Sequence, residues 1–184
     1  MPQGESHFHY VCTFEEAEEL LTGNQRFWIS NCGCREQRGG CQRSRVDLCL
    51  SFRAESPTWG SAKREITGAE TADLLQDARN HRLVPRPFRR EDDKTVTDGI
   101  CFCCDDCCEY FTKPADNHCD KGIFIEVTDS EICSSCGTCT EVCYFEVRRF
   151  DGCDLEIVRD FCYGCGLCRD VCPEGAIMMV DRNL

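Results

Sequence analysis

The sequence is poor in what builds an ordinary hydrophobic core. Apolar residues make up 41% of its 184 positions, but that figure includes 20 cysteines. Without them about 30% remains, thin for a chain that must offset its own ordering entropy. No run of about 18 apolar residues occurs, which excludes a membrane-spanning helix. The start, Met1-Pro2-Gln3-Gly4-Glu5-Ser6, has neither a basic nor an apolar leader region. A secretory signal is therefore not expected, and a cytoplasmic setting is. Histidine is scarce, with four residues, and there is no HExxH, no glycine-rich phosphate loop and no Ser-His-Asp set. Basic residues are outnumbered 21 to 33, a net charge of −12, so the footprint of a nucleic-acid binder is missing too.

Thiols are what the chain has in excess. Twenty cysteines in 184 residues lie above the level that marks a cysteine framework. In a chain with no export signal, that density points to metal or cluster binding before disulfides. Charge is distributed unevenly: residues 1–94 carry 14 basic and 15 acidic side chains, residues 95–184 only seven and 18. An acidic module joined to a nearly neutral one suits docking on a basic partner surface.

Two capping boxes, Thr13-Phe14-Glu15-Glu16 and Thr67-Gly68-Ala69-Glu70, predict two helices. The first stops at Gly23, and the second shows helical apolar spacing at Ala72, Leu74, Leu75 and Ala78. The stretch 82–93, with Pro85, Pro87 and alternating charges, reads as an extended basic linker. Its arginines, among them Arg86, have no aromatic stacking platform and precede Glu91-Asp92-Asp93, which favours solvent or a protein partner over nucleic acid. Short β-prone runs occur at 123–127, 145–147 and 176–180. The expected fold class is α+β. Residues 1–97 form a small, mainly helical Cys-rich domain with its linker, 98–120 a Cys-dense connector, and 121–184 a separate unit.

That last unit is an internal repeat. Cys133-x-x-Cys136-x-x-Cys139-x-x-x-Cys143 recurs 29 residues later as Cys162-x-x-Cys165-x-x-Cys168-x-x-x-Cys172. Glu131, Gly137 and Val142 recur as Asp160, Gly166 and Val171. Three thiolates at this spacing can wrap one iron–sulfide cube from a single loop, and the fourth lies a helical turn further on. Zinc sites prefer paired C-x-x-C knuckles with a longer spacer. The unit resembles the bacterial-type ferredoxins with two [4Fe–4S] clusters. The resemblance implies the fold and a crossed ligand set: Cys133, Cys136, Cys139 and Cys172 for one cluster, Cys162, Cys165, Cys168 and Cys143 for the other. It departs from the pattern at Tyr144, which stands where the second run has Pro173.

Among the remaining thiols, two sets stand out: Cys32, Cys34, Cys41 and Cys49, and Cys103, Cys104, Cys107 and Cys108. Either suits one further [4Fe–4S] cluster or a zinc ion. Together with Arg35 and Leu50 they are similar to iron–sulfur proteins of anaerobes known as ferredoxin-domain proteins, a likeness that implies additional cofactors but no defined reaction. His118 beside Cys119 is the one histidine in a ligand-like setting. His7 and His9 are expected in solvent, Asp105 and Asp106 in a solvated turn, and Cys153 outside any ligand set. The expected function is a low-potential electron carrier, or the relay subunit of an anaerobic oxidoreductase, working with a redox protein partner. A reductase with a substrate-reducing cluster or thiol site in the first half is one alternative; a redox or zinc sensor is the other.

Overall fold

The computed structural model describes residues 6–113 and 119–183. The first half contains α1 (Phe14–Thr22), β1 (Phe27–Ser30), α2 (Gly33–Gln37), β2 (Cys49–Ser51), β3 (Arg64–Ile66), α3 (Gly68–Asn80), β4 (Val84–Arg89), β5 (Thr97–Cys103) and α4 (Glu109–Thr112). The second contains β6 (Phe124–Thr128), β7 (Arg148–Phe150), β8 (Leu155–Ile157), α5 (Leu167–Asp170) and β9 (Ile177–Asp181).

Both capping boxes form. The Glu16 amide donates to the Thr13 hydroxyl at 3.2 Å, and the Thr13 amide donates to the Glu16 carboxylate at 2.8 Å. Thr67 and Glu70 start α3 in the same way. Gly23 closes α1 with its amide on the Glu19 carbonyl.

The expectation of a mainly helical first half is corrected. Its frame is a five-stranded antiparallel sheet in the order β3-β1-β2-β5-β4. Three of these strands have only three or four residues, and β1 is buried along its whole length, so none shows a readable alternation. β5 runs across the expected boundary at 97/98 and ties the start of the Cys-dense segment into the sheet.

The supposed linker is β4. Its prolines are tolerated because of where their missing amides would point. The carbonyls of Pro85 and Pro87 face away from β5 and accept from the amides of Cys12 and Tyr10 at 3.2 and 3.1 Å. In a strand, an amide and a carbonyl of the same residue point to the same side, so neither proline interrupts the ladder to β5. Two arginines of this stretch are engaged on the surface, Arg89 by Asp120 and Arg90 by Asp92.

Strand alternation gives the sheet two unlike faces. Leu50, Ile100 and Phe102 lie on one and share a buried core with Phe14, Ala17, Leu74, Leu75 and Ala78 of α1 and α3. Cys49, Cys101, Cys103 and Arg86 lie on the other, with Cys49 and Arg86 paired to Cys101 from either side.

In the second half β6 pairs antiparallel with β9, from Phe124↔Asp181 to Thr128↔Ile177, and β7 with β8 as a hairpin. The core is continuous between the halves, since Val142 and Leu167 belong to the same buried cluster as the sheet. Tyr144 helps join them: its hydroxyl donates to the Arg82 carbonyl at 3.0 Å, and the Arg43 guanidinium sits 4.9 Å over its ring.

Candidate metal centres

Each Cys run of the repeat is a loop that turns into a single helical turn. The turns begin after Gly137 (φ 78°) and Gly166 (φ 79°), a left-handed conformation that costs a side-chain-bearing residue roughly 1–2 kcal/mol. The turn at Thr138–Thr140 packs against α5, which brings the two runs side by side.

Cys143 of the first run lines one cavity with Cys162, Cys165 and Cys168 of the second. Cys162 is buried and the other three partly so. Burial pushes the Cys168 thiol up to about 12 and Cys165 well above its ordinary value. Burial also raises Cys143, against hydrogen bonds to its sulfur from the backbone amides of Arg148, Val147 and Phe145. The other four cysteines of the repeat range from buried Cys139 through half-buried Cys133 and Cys172 to exposed Cys136. Cys153 is exposed at the tip of the β7–β8 hairpin.

Arg148 stands between the two runs. It lines the Cys143 cavity, and its Nη1 donates to Cys139 Sγ at 3.3 Å. Its other nitrogen pairs with Glu126, both side chains being 1% exposed, and reaches Thr128 Oγ1 at 2.8 Å. Arg159 holds the second Glu126 oxygen at 3.0 Å. With that carboxylate taken up by two arginines, thiols are the donors left facing the cavity, a set that fits an iron–sulfur cluster.

Residues 132–177 match the family described as the 4Fe-4S dicluster domain. The chain carries a ferredoxin-like iron–sulfur unit. No curated protein matches the chain.

In front of the ferredoxin-like unit, the structure regroups the thiols that sequence places in two loop sets. Cys41 leaves its own set: its Sγ lies 3.5 Å from that of Cys104, which lies 3.5 Å from that of Cys107. These three come within 4.8 Å of one another. The Cys107 hydrogen bond pulls Cys104 down to about 5. Cys32, Cys34, Cys103 and Cys108 line one cavity together. Hydrogen bonds from Cys108 and then Cys32 hold Cys34 at about 2. Cys49, expected in a loop, is in β2 opposite Cys101. Of the described residues, seven cysteines line a cavity of about 200 Å³ on this face of the sheet.

Arg35 is 1% exposed and donates to the carbonyls of Arg45 and Phe102 at 2.6 and 3.0 Å. Asp105 pairs with Arg43, and Asp106 accepts from the Gln42 amide at 2.9 Å. His118 lies outside the described residues.

Sequence reasoning missed three residues of this cavity. His9, expected in solvent, lines it with Nε2 4.0 Å from Cys101 Sγ; burial and then Arg86 pull its pKa down to about 3. Arg86, assigned to the linker, is 6% exposed and donates to Cys108 Sγ at 3.4 Å and Cys103 Sγ at 3.8 Å. Tyr110 lies under the Arg86 guanidinium at 4.4 Å. The Pro-Arg-Pro triplet is compatible with an edge strand whose middle amide faces its neighbour, but it does not say which face the Arg86 side chain takes.

Proposed function

We propose that this chain is an electron-transfer protein. Its 121–184 unit binds two [4Fe–4S] clusters, one held by Cys133, Cys136, Cys139 and Cys172, the other by Cys143, Cys162, Cys165 and Cys168. The observation that supports this reading is that Cys143 and the second run line one cavity, as a crossed ligand set requires of that cluster. Such clusters supply one-electron storage, and four thiolates around each leave no iron position for a substrate.

The protein supplies the rest. Amides from residues 145, 147 and 148 point at the Cys143 sulfur and stabilise negative charge there. Val142, Val147 and Phe145 wall the cavity against water. Exposed Ile132 and Phe161 occupy equivalent places in the repeat, each just before its first cysteine and just after an acid, Glu131 or Asp160. Two apolar points with an acidic rim suit a redox protein with a basic rim around an apolar patch, either a soluble partner or a subunit of an oxidoreductase complex. Exposed Cys136 makes its cluster the more open to oxygen, which suits an anaerobic cytoplasm.

The test is iron, acid-labile sulfide and zinc per chain on protein purified without oxygen. The unit alone accounts for about eight iron and eight sulfide, and Cys143→Ser disturbs one cluster while sparing the other. Zinc with no sulfide overturns the reading.

One observation favours a second reading, a reductase. Cys41, Cys104 and Cys107 converge without a fourth ligand among the described residues, so a metal there would keep an open position. Its signature is a spectroscopic signal that added cyanide perturbs and Cys104→Ser abolishes.

A further inference from the structure

We propose that the sheet domain holds a third [4Fe–4S] cluster, ligated by Cys32, Cys34, Cys103 and Cys108, with Arg86 as its counter-charge and Tyr110 leading from it to the ferredoxin-like unit. The site stands independently of the proposed function; only the direction of electron flow rests on it.

The four thiols come from two segments about 70 residues apart in the chain. Cys32 and Cys34 flank the first residue of α2, after β1; Cys103 ends β5, and Cys108 precedes α4. The antiparallel sheet brings these ends together around one cavity, where a single Arg86 nitrogen reaches the sulfurs of both Cys108, at 3.4 Å, and Cys103, at 3.8 Å. The register puts Cys103 and Arg86 on the same face.

Space and charge both point to an anionic group larger than a single ion. The cavity of about 200 Å³ is many times the roughly 10–15 Å³ that accommodates one water. Native interiors contain few voids larger than a water, and one zinc ion would leave most of this volume unfilled. Arg86 and Arg35 are buried here, and no carboxylate among the described residues pairs with either; the Nε of each lacks a hydrogen-bond partner. A buried cation without an anion is costly. Four thiolates on an oxidised cubane core carry a net charge of −2, a counter-charge suited to Arg86, which already touches two of these sulfurs.

The site is also wired. Tyr110 lines the cavity, and its ring centre is 6.1 Å from Tyr163 and 6.2 Å from Phe145. Those two rings stack on each other at 4.5 Å and line the Cys143 cavity. Two rings in succession, one of the Phe145–Tyr163 pair and then Tyr110, therefore lie between the second site and the third. Reduction of the third cluster takes one electron from a reduced cluster of the ferredoxin-like unit, itself charged by the redox partner, and neither makes nor breaks a bond. The added negative charge is favoured beside Arg86, which pairs with no carboxylate among the described residues, more than beside Arg148, which is paired with Glu126. Electrons run towards the sheet domain.

The experiment uses the full chain, purified without oxygen, as wild type, Cys34→Ser/Cys108→Ser and Cys162→Ser/Cys165→Ser. The first double variant loses about four iron and four sulfide relative to wild type and keeps the ferredoxin-type EPR signals, which also report that it is folded. The second loses a different four. An unchanged count in the first with a loss in the second overturns the third cluster and leaves the ferredoxin reading standing; an unchanged count in both overturns both. Zinc that the first double variant releases in place of iron also overturns the proposal. An EPR-monitored titration with dithionite supplies a check that removes no ligand. Arg86→Gln moves one signal to lower potential and leaves the others in place, and Arg86→Lys restores most of that shift. Three unmoved signals in Arg86→Gln overturn the assignment of Arg86.

Discussion

Buried arginines of two kinds divide the work of this protein between its halves. Arg148 is paired with Glu126 with both side chains out of water, and removing Arg148 leaves that carboxylate with the half-exposed Arg159 alone. Arg148→Met is expected to cost about 3 kcal/mol, the lower end of the range for breaking a buried pair, read as a lower guanidinium midpoint. The double variant Arg148→Met/Glu126→Met should recover most of that loss. Surface carboxylates contribute differently. The hydrogen bond from the Thr67 amide, then Arg64, holds Glu70 below its ordinary value of 4.5. A lowered folded pKa gives stability that is full above the ordinary value and disappears as pH falls through the folded one. Wild type should therefore exceed Glu70→Gln in thermal midpoint at pH 6, and the difference should close as the pH is taken below 4.

At the scale of elements, what could be read in the sequence was whatever is local. The caps of α1 and α3 depend on residues three apart, and the two Cys runs on spacings within ten residues, so both were visible. The strands β1, β2 and β3 are too short to show a period, and β4 was hidden by prolines that normally end strands. The thiol sets of the first half were assigned by closeness in sequence, whereas the fold sorts them by which loops it brings together at the ends of the strands. Cys34 therefore meets Cys108, and Cys41 meets Cys104. The tightest point in that sheet is Gly99, where a Cβ would overlap the Leu50 carbonyl of β2 and the Phe88 ring of β4. Gly99→Ala is expected to destabilise by roughly 1–3 kcal/mol, because three strands must move to admit one methyl. A shift of the denaturant midpoint in the aerobic apo-protein would check it without interference from the clusters.

At the scale of the whole molecule, the ferredoxin-like unit and the sheet behave as one packed body, and Tyr144 explains why the repeat departs from its own pattern. The residue that replaces a proline anchors the unit on Arg82, Arg43 and Phe111. Tyr144→Pro should keep the iron content while lowering unfolding stability by roughly 2 kcal/mol, less than the 3–5 of a fully buried aromatic. Limited proteolysis would then cut between the halves sooner than in wild type. The prolines of β4 have a consequence for neighbours rather than for the fold. At residues 85 and 87 the outer rim of the sheet offers carbonyls and no amides, and the segment around Tyr10 and Cys12 supplies the donors. Two copies meeting along that rim would set acceptor against acceptor. That rim of the sheet is thus a poor template for pairing with a copy of itself.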